Sequence, residues 1–286
     1  MKNINQTQSN PLLTQINIEN YFQTEIDKRQ IKNSFNLEIF DNLKNLFEKE
    51  ELKNIQKINK IYQEKIQKIT PTILKKEIER LTIDLSWKSS QIEGNTYTLI
   101  DTELLIREQI TAQGKKLEEA IMITNHKKTL DYIWSHKDYF RNLSLSKIEE
   151  LHSLLINDLG VPKNIRQRLV RITGTNYTPL DNRFQIQESL EKLIQVINQT
   201  KNPLEKALIA NLMISYIQPF EDGNKRTARI LGNALLIAHE FCPLSFRSID
   251  EVDYKKAIIL FYEQNSALFF KELFLDQFKF AVENYF

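Results

Sequence analysis

The stretch 204-LEKALIANLMISYIQPFEDGNKRTARILGNALLIA-238 contains two strongly apolar segments joined by a short polar loop. Residues 204–217 are apolar on most faces of a helix, which predicts a buried helix that Pro219 ends. Beyond the loop, apolar residues recur at spacings of three and four, which predicts a second buried helix. These residues are Ala228, Leu231, Leu235 and Ala238. The loop between the two helices therefore holds its charged side chains against the protein core.

The rest of the chain also favours helices. Its 286 residues include only six glycines and seven prolines, which is poor material for a many-stranded β fold. Helical spacing predicts helices at roughly 38–69, 72–91, 102–112, 116–136, 144–158, 186–199, 203–217, 224–240 and 252–284. One stretch, 165-IRQRLVRITGTNYTPLD-181, is rich in β-forming residues around a glycine and predicts a short hairpin near residues 168–180. The sequence thus predicts an all-α fold with one small β-hairpin.

The N-terminal region differs in composition from the remainder. Residues 1 to about 35 are polar, rich in Asn and Gln and weakly patterned, which predicts an arm or a partly ordered lead-in. We expect an N-terminal arm and helical region over residues 1–85 and a main domain over residues 86–286. The N-terminus lacks the apolar core of a signal peptide, and no apolar run approaches the roughly 18 residues that span a bilayer. We therefore expect a soluble, cytoplasmic protein without a membrane partner.

Charge and cysteine content exclude several functions. A formal net charge of +2 gives no electrostatic argument for a nucleic-acid partner, and we expect none. The single cysteine, Cys242, excludes an internal disulfide and a cysteine-based metal cluster. Function therefore has to be sought in the loop between the two apolar helices.

That loop combines residue types that bind phosphate. A Gly-Asn pair, Gly223–Asn224, at a helix entrance lets several backbone N–H groups point outward together at the positive end of the helix dipole. Arg226 and Arg229 are three residues apart, so they share a helix face and can fork onto phosphate oxygens. Asp222 lies beside this nest, where a carboxylate is the usual handle for Mg²⁺. Any one of these residues could be part of a solvated helix corner, but the combination predicts a phosphate site.

These residues resemble a known signature. The string 218-QPFEDGNKRTAR-229 closely resembles the Fic signature, His-x-Phe-x-Asp/Glu-Gly-Asn-x-Arg-x-x-Arg. The resemblance, which extends from about Ser86 to Phe280, implies an all-helical Fic fold and transfer of AMP from Mg-ATP to a Ser, Thr or Tyr hydroxyl of a target protein or of the chain itself. It implies that Asp222 holds Mg²⁺, that Gly223, Asn224 and Lys225 cradle the phosphates, and that Arg229 grips the γ-phosphate with support from Arg226. Phe220 would anchor the loop, and homodimers are common in this class.

Three further segments gain an expected role from the resemblance. The stretch 89-SSQIEG-94 resembles the family's inhibitory motif through Ser89, Glu93 and Gly94, and implies that Glu93 pairs with Arg229 and blocks the γ-phosphate. The predicted hairpin falls where the family aligns its target by backbone pairing. Here the pairing residues would be Ile172, Thr173, Gly174, Thr175 and Tyr177. Tyr254 and Tyr262 fall where contacts to the adenosine are common, although helix packing explains both tyrosines equally well.

Gln218 departs from the signature, because the family has a histidine at this position. A neutral imidazole can take the proton of the attacking hydroxyl, whereas a glutamine amide has no usable basicity. His152 lies on a helical face where packing is the better interpretation, and none of the four histidines falls in the loop. The sequence therefore predicts an adenylyltransferase scaffold with strongly reduced activity.

Other functions stay open from the sequence. The chain could be a nucleotide-binding or target-binding module that kept the pocket and lost the reaction. It could also be a helical interaction protein without a nucleotide. Removal of AMP, with Glu93 orienting a water, is a related chemistry that the missing histidine also weakens. Phosphate or phosphocholine transfer ranks low, because Gly223, Asn224 and Arg229 favour the ordinary ATP pose.

Overall fold

The computed structural model describes residues 10–286, and this part of the chain is built from α-helices. Eleven α-helices occur within it: α1 (Ile18–Gln23), α2 (Lys49–Lys68), α3 (Pro71–Ile92), α4 (Leu99–Glu108), α5 (Leu117–Ser135), α6 (Leu145–Leu155), α7 (Arg183–Gln199), α8 (Pro203–Ile217), α9 (Asn224–Ala238), α10 (Glu251–Gln264) and α11 (Leu268–Asn284). Short 3₁₀ helices lie at Pro11–Leu13, Ile26–Lys28, Leu37–Asn42 and Lys137–Arg141. The all-α prediction is confirmed. Within residues 10–286, no helix is both long and apolar enough to cross a membrane.

Helices α8 and α9 form the centre of the core. Asn202 caps α8 by accepting a hydrogen bond from the Glu205 N–H at 3.1 Å, and Pro203 occupies its first turn. Every residue of α8 from Leu204 to Ile217 is buried. At Gly232 on α9, a Cβ atom would lie 2.3 Å from the Asn211 side-chain nitrogen, so the two helices approach closely only because this residue is glycine. This tight pair is the rigid support for the loop at 218–223.

Helix α3 carries the second predicted motif to the same place. It begins at Pro71 after Thr70, whose hydroxyl accepts from the Ile73 N–H at 3.3 Å. Its C-terminal half is buried, and Glu93 follows its last residue. Gly94 has φ +93°, a left-handed conformation that ends the helix and favours glycine. The end of α3 therefore lies over the start of α9.

The described part of the N-terminal region packs on the domain instead of forming a free arm. Residues 1–9 of the expected arm lie outside the described residues. Leu12 is buried, and its carbonyl accepts from the Ala267 N–H at 2.6 Å. Lys32 donates its backbone N–H to the Glu263 carbonyl at 2.8 Å. We call residues 10–45 the N-terminal strap, because this segment crosses the junction of α10 and α11. The division expected at residue 85 falls within α3 and stays a prediction.

The predicted hairpin near residues 168–180 is wrong. Within the described residues no strand forms, and the one β-bridge of this segment joins Thr178 to Ser34 of the N-terminal strap. The side chain of Arg166 lies buried here and donates to the carbonyls of Gln218, Arg168 and Leu180. Arg168 and Leu180, from the two ends of the predicted hairpin, both accept from the Arg166 guanidinium, and Thr178 pairs with the strap. The two predicted strands therefore do not pair with each other.

Two predicted helices are also divided. The predicted helix at 252–284 is broken at Asn265, which has φ +54° and separates α10 from α11. The predicted helix at 38–69 is a 3₁₀ turn at Leu37–Asn42 followed by α2, with Asn45 at φ +58° between them. In both places an asparagine adopts the left-handed conformation, which Asn tolerates better than most residues.

Candidate functional site

The loop between α8 and α9 is fixed by side chains of its own. Asn224 accepts from the Phe220 N–H at 2.8 Å and donates to the Phe220 carbonyl at 2.8 Å. It also donates to Gln218 Oε1 at 2.9 Å. Gly223 has φ +80°, and a Cβ there would lie 3.1 Å from Ile156 Cγ2, so the turn into α9 needs a glycine. The loop is therefore preformed, with the unpaired N–H groups of the first turn of α9 at its end.

His152 of α6 supports this loop from below. Its ring is stacked on Phe220 with ring centres 3.6 Å apart and an interplanar angle of 4°. Its Nε2 lies 3.0 Å from the Asp222 carbonyl, which can only accept, so Nε2 carries the proton. Burial lowers the pKa of His152 to about 4. The packing role predicted for His152 fits this position, whereas its contact with the loop backbone is not predictable from the sequence.

Gln218 is held at every polar atom of its side chain. The residue has φ +51° at the end of α8 and is 7% exposed. Its amide nitrogen donates to the Ser215 carbonyl at 2.7 Å and lies 3.4 Å from the Tyr262 hydroxyl, while its amide oxygen accepts from Asn224. The group at this position is thus a fixed amide with no atom able to accept a proton at neutral pH.

The basic residues of the loop differ in their partners. Arg226 is 2% exposed and donates from Nη2 to Asp222 Oδ2 at 2.9 Å, whereas the Asp222 side chain is 67% exposed. Arg226 Nη1 is buried and has no hydrogen-bond partner among residues 10–286. Burial lowers the pKa of Arg226, because the nearby carboxylates of Asp222 and Glu93 compensate its charge only in part. An under-satisfied guanidinium beside a helix N-terminus fits an anionic group such as phosphate.

Arg229 is fully buried and makes four contacts. It donates from Nε to Ser89 Oγ, and from Nη2 to the Ser89 carbonyl and to Glu93 Oε1, each at 2.9 Å. Its Nη1 lies 3.2 Å from the Tyr254 hydroxyl. Lys225 Nζ lies 3.6 Å from the other carboxylate oxygen of Glu93. Residues at the end of α3 therefore bind the Arg229 guanidinium, which the sequence predicts to bind a phosphate.

The charges of this pair reinforce each other. Burial would raise the pKa of Glu93, but Arg229 and Lys225 outweigh it and hold the pKa of Glu93 below its ordinary value. Burial acts against the charge of Arg229, but Tyr254 and Glu93 together raise the pKa of Arg229. Burial raises the pKa of Tyr254, so the phenol is neutral. Glu93 and Arg229 thus form an ion pair across the physiological range of pH.

A cavity of about 420 Å³ opens beside this ion pair, a volume within the range of small-molecule sites. Its walls come from the end of α3, the start of α9, α10 and the segment 172–174. The lining includes Glu93, Gly94, Ile172, Thr173, Gly174, Lys225, Tyr254 and Tyr262. The structure thus brings these eight predicted site residues to one cavity, whereas its lining does not include Gln218, Asp222, Gly223, Asn224, Arg226 or Arg229.

The predicted residues Thr175 and Tyr177 do not line the cavity, whereas Tyr254 and Tyr262 do. Tyr177 is 2% exposed, donates from its hydroxyl to the Tyr216 carbonyl at 2.9 Å and packs its ring against those of Tyr216 and Tyr262. Thr175 accepts from the Tyr177 N–H at 3.1 Å. Tyr254 and Tyr262 line the cavity but are fully buried otherwise, with their hydroxyls engaged by Arg229 and Gln218. Tyr254 and Tyr262 therefore combine a packing role with a place in the cavity wall.

Among residues 10–286, no group of three or more His, Cys, Asp or Glu side chains is arranged to hold a metal ion. Asp222 supplies one exposed carboxylate, of which Oδ2 accepts from Arg226, and Mg²⁺ usually binds through one or two carboxylates together with substrate phosphates. The donor set therefore fits a metal that arrives with a nucleotide.

Comparisons with known proteins agree with this architecture. Solved structures share the fold: residues 134–508 of Fic-1 from Caenorhabditis elegans, with a TM-score of 0.68 and 20% identity over 82% of this chain and 70% of that chain, and a Fic domain containing signaling protein from Bacteroides thetaiotaomicron, with a TM-score of 0.67 and 22% identity over 80% and 94%. The molecule therefore has the all-helical Fic fold. Residues 142–236 match the model of the Fic/DOC family.

Curated relatives carry names that state an activity. A protein named "Protein adenylyltransferase Fic" from Nematostella vectensis is 27% identical over 190 residues, which are 63% of this chain and 43% of the relative. "Protein adenylyltransferase fic-1" from Caenorhabditis elegans is 26% identical over 160 residues, which are 54% of this chain and 31% of the relative. The chain spans less than half the length of these relatives.

Proposed function

We propose that this chain is a Fic-type protein adenylyltransferase scaffold that binds Mg-ATP at the start of α9 and is held closed by Glu93. The single observation that carries the proposal is the buried Arg229, which lies beside an open cavity and is occupied by Glu93 at 2.9 Å. Relatives over more than half of this chain are named protein adenylyltransferases, which supports the same class of reaction.

Each residue of the loop has a role in this proposal. When bound, ATP supplies the AMP group, and Mg²⁺ neutralises part of its phosphate charge. Asp222 would hold the metal, and the backbone of Gly223, Asn224 and Lys225 would cradle the phosphates at the helix N-terminus. Arg229 would take the γ-phosphate once Glu93 leaves it. Arg226, with its unpaired Nη1, would supply further positive charge to the nest.

Glu93 competes with the phosphate for a single guanidinium. Glu93 accepts one hydrogen bond from Arg229 Nη2, while the other donors of the guanidinium are engaged by Ser89 and Tyr254, so a phosphate would compete with Glu93 for that donor. Glu93 lies a few residues from Ser89 at the end of α3 and belongs to the same chain as Arg229. Its binding to Arg229 therefore does not cost the translational entropy that ATP loses when it binds. The proposal therefore predicts weak ATP binding by this chain and stronger binding once Glu93 is removed.

Gln218 limits the reaction that can follow. A target hydroxyl needs a group that takes its proton as it attacks the α-phosphate, and loss of such a base costs roughly 10²–10⁴-fold in rate. Both ends of the Gln218 amide are engaged within the loop, so the amide also cannot reorient a water freely. This observation favours the second candidate, a catalytically inactive Fic module that binds a nucleotide or a target protein.

Labelled AMP transfer separates the two candidates. The Gln218→His/Glu93→Gly chain should label itself or an added protein extract from labelled Mg-ATP, whereas Glu93→Gly alone, the matched control that keeps the amide, should label about 10²-fold less or more weakly still. The label is carried on the α-phosphate of ATP, so that it stays with the transferred AMP. If the double variant binds Mg-ATP but transfers no AMP, the inactive module is the better account. If neither variant binds Mg-ATP, the adenylyltransferase and the nucleotide-binding module are both wrong, and a module that binds only a target protein is the better account.

A further inference from the structure

Ser89 lies between two buried groups from different helices. Its Oγ is 2.9 Å from Arg229 Nε on α9 and 2.8 Å from His126 Nε2 on α5. Ser89 and Arg229 are part of the motifs singled out above, but His126 belongs to neither. All three residues have no exposed surface. The contact is therefore a dry, three-residue chain of hydrogen bonds across α5, α3 and α9.

The donors and acceptors in this chain can be assigned by counting protons. His126 Nδ1 lies 2.9 Å from the Met122 carbonyl, which only accepts, so Nδ1 carries the ring proton. The guanidinium of Arg229 has no acceptor, so its Nε–H donates to Ser89 Oγ. The one hydroxyl proton of Ser89 is then left to donate to the bare Nε2 of His126. The order of donation runs from Arg229 to Ser89 to His126, and it requires a neutral imidazole.

The surroundings keep the imidazole neutral. Burial lowers the pKa of His126 to about 3, and the facing guanidinium groups of Arg226 and Arg229 act in the same direction. The Met122 carbonyl and Glu93 act in the opposite direction but do not restore it. His126 is therefore an acceptor for Ser89 throughout the physiological range of pH.

A second contact fastens the end of α3 to α5. Beyond Glu93, Asn95 donates from its side chain to the Glu119 carbonyl at 2.9 Å. The Thr96 N–H donates to the Glu119 carboxylate at 2.6 Å. Glu93 therefore lies between two attachments to the same helix, one through Ser89 and His126 and one through Asn95, Thr96 and Glu119.

We propose that His126 is a positioning residue for the closed state: it fixes the hydroxyl of Ser89 so that Ser89 holds Arg229 against Glu93, and α5 thereby sets how tightly the site is closed. This inference rests on the proposed function, since the closed contact matters only if Arg229 otherwise binds a phosphate. A shift of α5 would loosen Ser89 and Glu93 together, because both attachments lie on it. His126 does not touch the cavity, so it acts through Ser89 and not on the nucleotide.

The test measures Mg-ATP affinity by calorimetry in two backgrounds, with Glu93 present and with Glu93→Gly. His126→Phe keeps the ring but removes the acceptor, and should tighten Mg-ATP binding about 3- to 10-fold when Glu93 is present, the size of one lost hydrogen bond. In the Glu93→Gly background it should change the affinity by less than about twofold, since the closed contact is already absent. His126→Gln, whose amide oxygen can accept from Ser89, should stay close to the parent.

Thr129→Val is the matched control on α5, because it removes a different buried hydrogen bond of that helix, from the Thr129 hydroxyl to the Asn125 carbonyl, and touches neither Ser89 nor the cavity. It should leave the affinity unchanged in both backgrounds. Equal effects of His126→Phe with and without Glu93, or tightening by Thr129→Val as well, would show that α5 perturbation is general and would overturn the positioning role.

A stability measurement keeps the inference testable without a nucleotide. If Glu93→Gly binds no Mg-ATP, the proposed function fails, and the unfolding free energies of His126→Phe, Glu93→Gly and the double variant still decide about His126. Non-additive values would support the coupling of His126 to Glu93. Additive values would overturn it.

Discussion

Gln218 and Asn224 illustrate how single residues define this site. The Gln218 amide fits the loop because Asn224 and Ser215 satisfy both of its ends. Asn224 in turn ties Phe220 at both backbone atoms. A loop stabilised in this way holds its phosphate-binding geometry whether or not it can catalyse a transfer.

The motif residues were predictable from the sequence because their spacing is local, but their buried partners were not. Asp222 through Arg229 fall within one short stretch, and helical geometry places them together. His126 is 103 residues before Arg229 in a helix with many polar residues, and nothing in its neighbourhood in sequence distinguishes it from a surface histidine. The same holds for Arg166, whose burial depends on three carbonyls that only the folded chain assembles.

Gly223 should be far less tolerant of a side chain than a comparable glycine elsewhere. Gly223→Ala forces a residue with Cβ into φ +80° and places that Cβ 3.1 Å from Ile156, so we expect a loss of about 2–4 kcal/mol in the free energy of unfolding. Gly114→Ala, at φ +76° with no atom within 4 Å, should lose only about 1–2 kcal/mol. Urea unfolding measures both. Equal losses would mean that the contact with Ile156 relaxes freely.

At the scale of elements, the break between α10 and α11 shows why an apolar pattern alone misplaced a boundary. The helical spacing continues through residues 252–284, and neither Gly nor Pro interrupts it. Asn265 Oδ1 accepts from Lys32 Nζ at 3.1 Å and from Asn36 Nδ2 at 3.0 Å, both in the N-terminal strap. The break therefore depends on contacts with a segment about 230 residues away, which no local pattern contains. The missing hairpin has the same cause, since Thr178 pairs with the strap.

Two substitutions at Asn265 separate its side-chain contacts from its backbone conformation. Asn265→Gly keeps φ +54° accessible but removes the bonds to Lys32 and Asn36, so the free energy of unfolding should fall by about 1–3 kcal/mol. In Asn265→Ala the free energy of unfolding should be about 1 kcal/mol lower than in Asn265→Gly, because alanine disfavours the left-handed region. Chemical denaturation of both variants measures the difference. An alanine variant more stable than the glycine variant would argue against a left-handed residue at the break.

At the scale of the whole molecule, the larger hydrophobic core of residues 10–286 extends from Leu12 to Tyr285 and includes side chains of the strap, while a smaller cluster joins α4 to α5. Buried histidines within this core make its stability depend on pH. The pKa of His126 is lowered to about 3 and that of His152 to about 4, whereas both are near 6.5 in an unfolded chain. Because the unfolded state binds these protons first, stability is full above pH 6.5 and falls as the pH drops below it.

Between pH 7.5 and 5.5, the two histidines should together lower the free energy of unfolding by roughly 2–3 kcal/mol. His152→Phe, which keeps a ring stacked on Phe220, should remove about half of this dependence. His136→Gln, at an exposed position, is the control and should leave it unchanged. Urea unfolding at the two pH values measures the effect. A pH dependence that His152→Phe leaves intact would mean that folding does not lower the pKa of His152.

Calorimetry with Mg-ATP decides whether the start of α9 is a nucleotide site that Glu93 closes. Glu93→Gly should bind Mg-ATP at least about 10-fold more tightly than the parent chain, since a buried carboxylate no longer competes for Arg229. Adding Arg229→Ala to Glu93→Gly should abolish this gain. Mg-ATP binding that is equal in the parent and in Glu93→Gly, or that survives Arg229→Ala, would contradict the account.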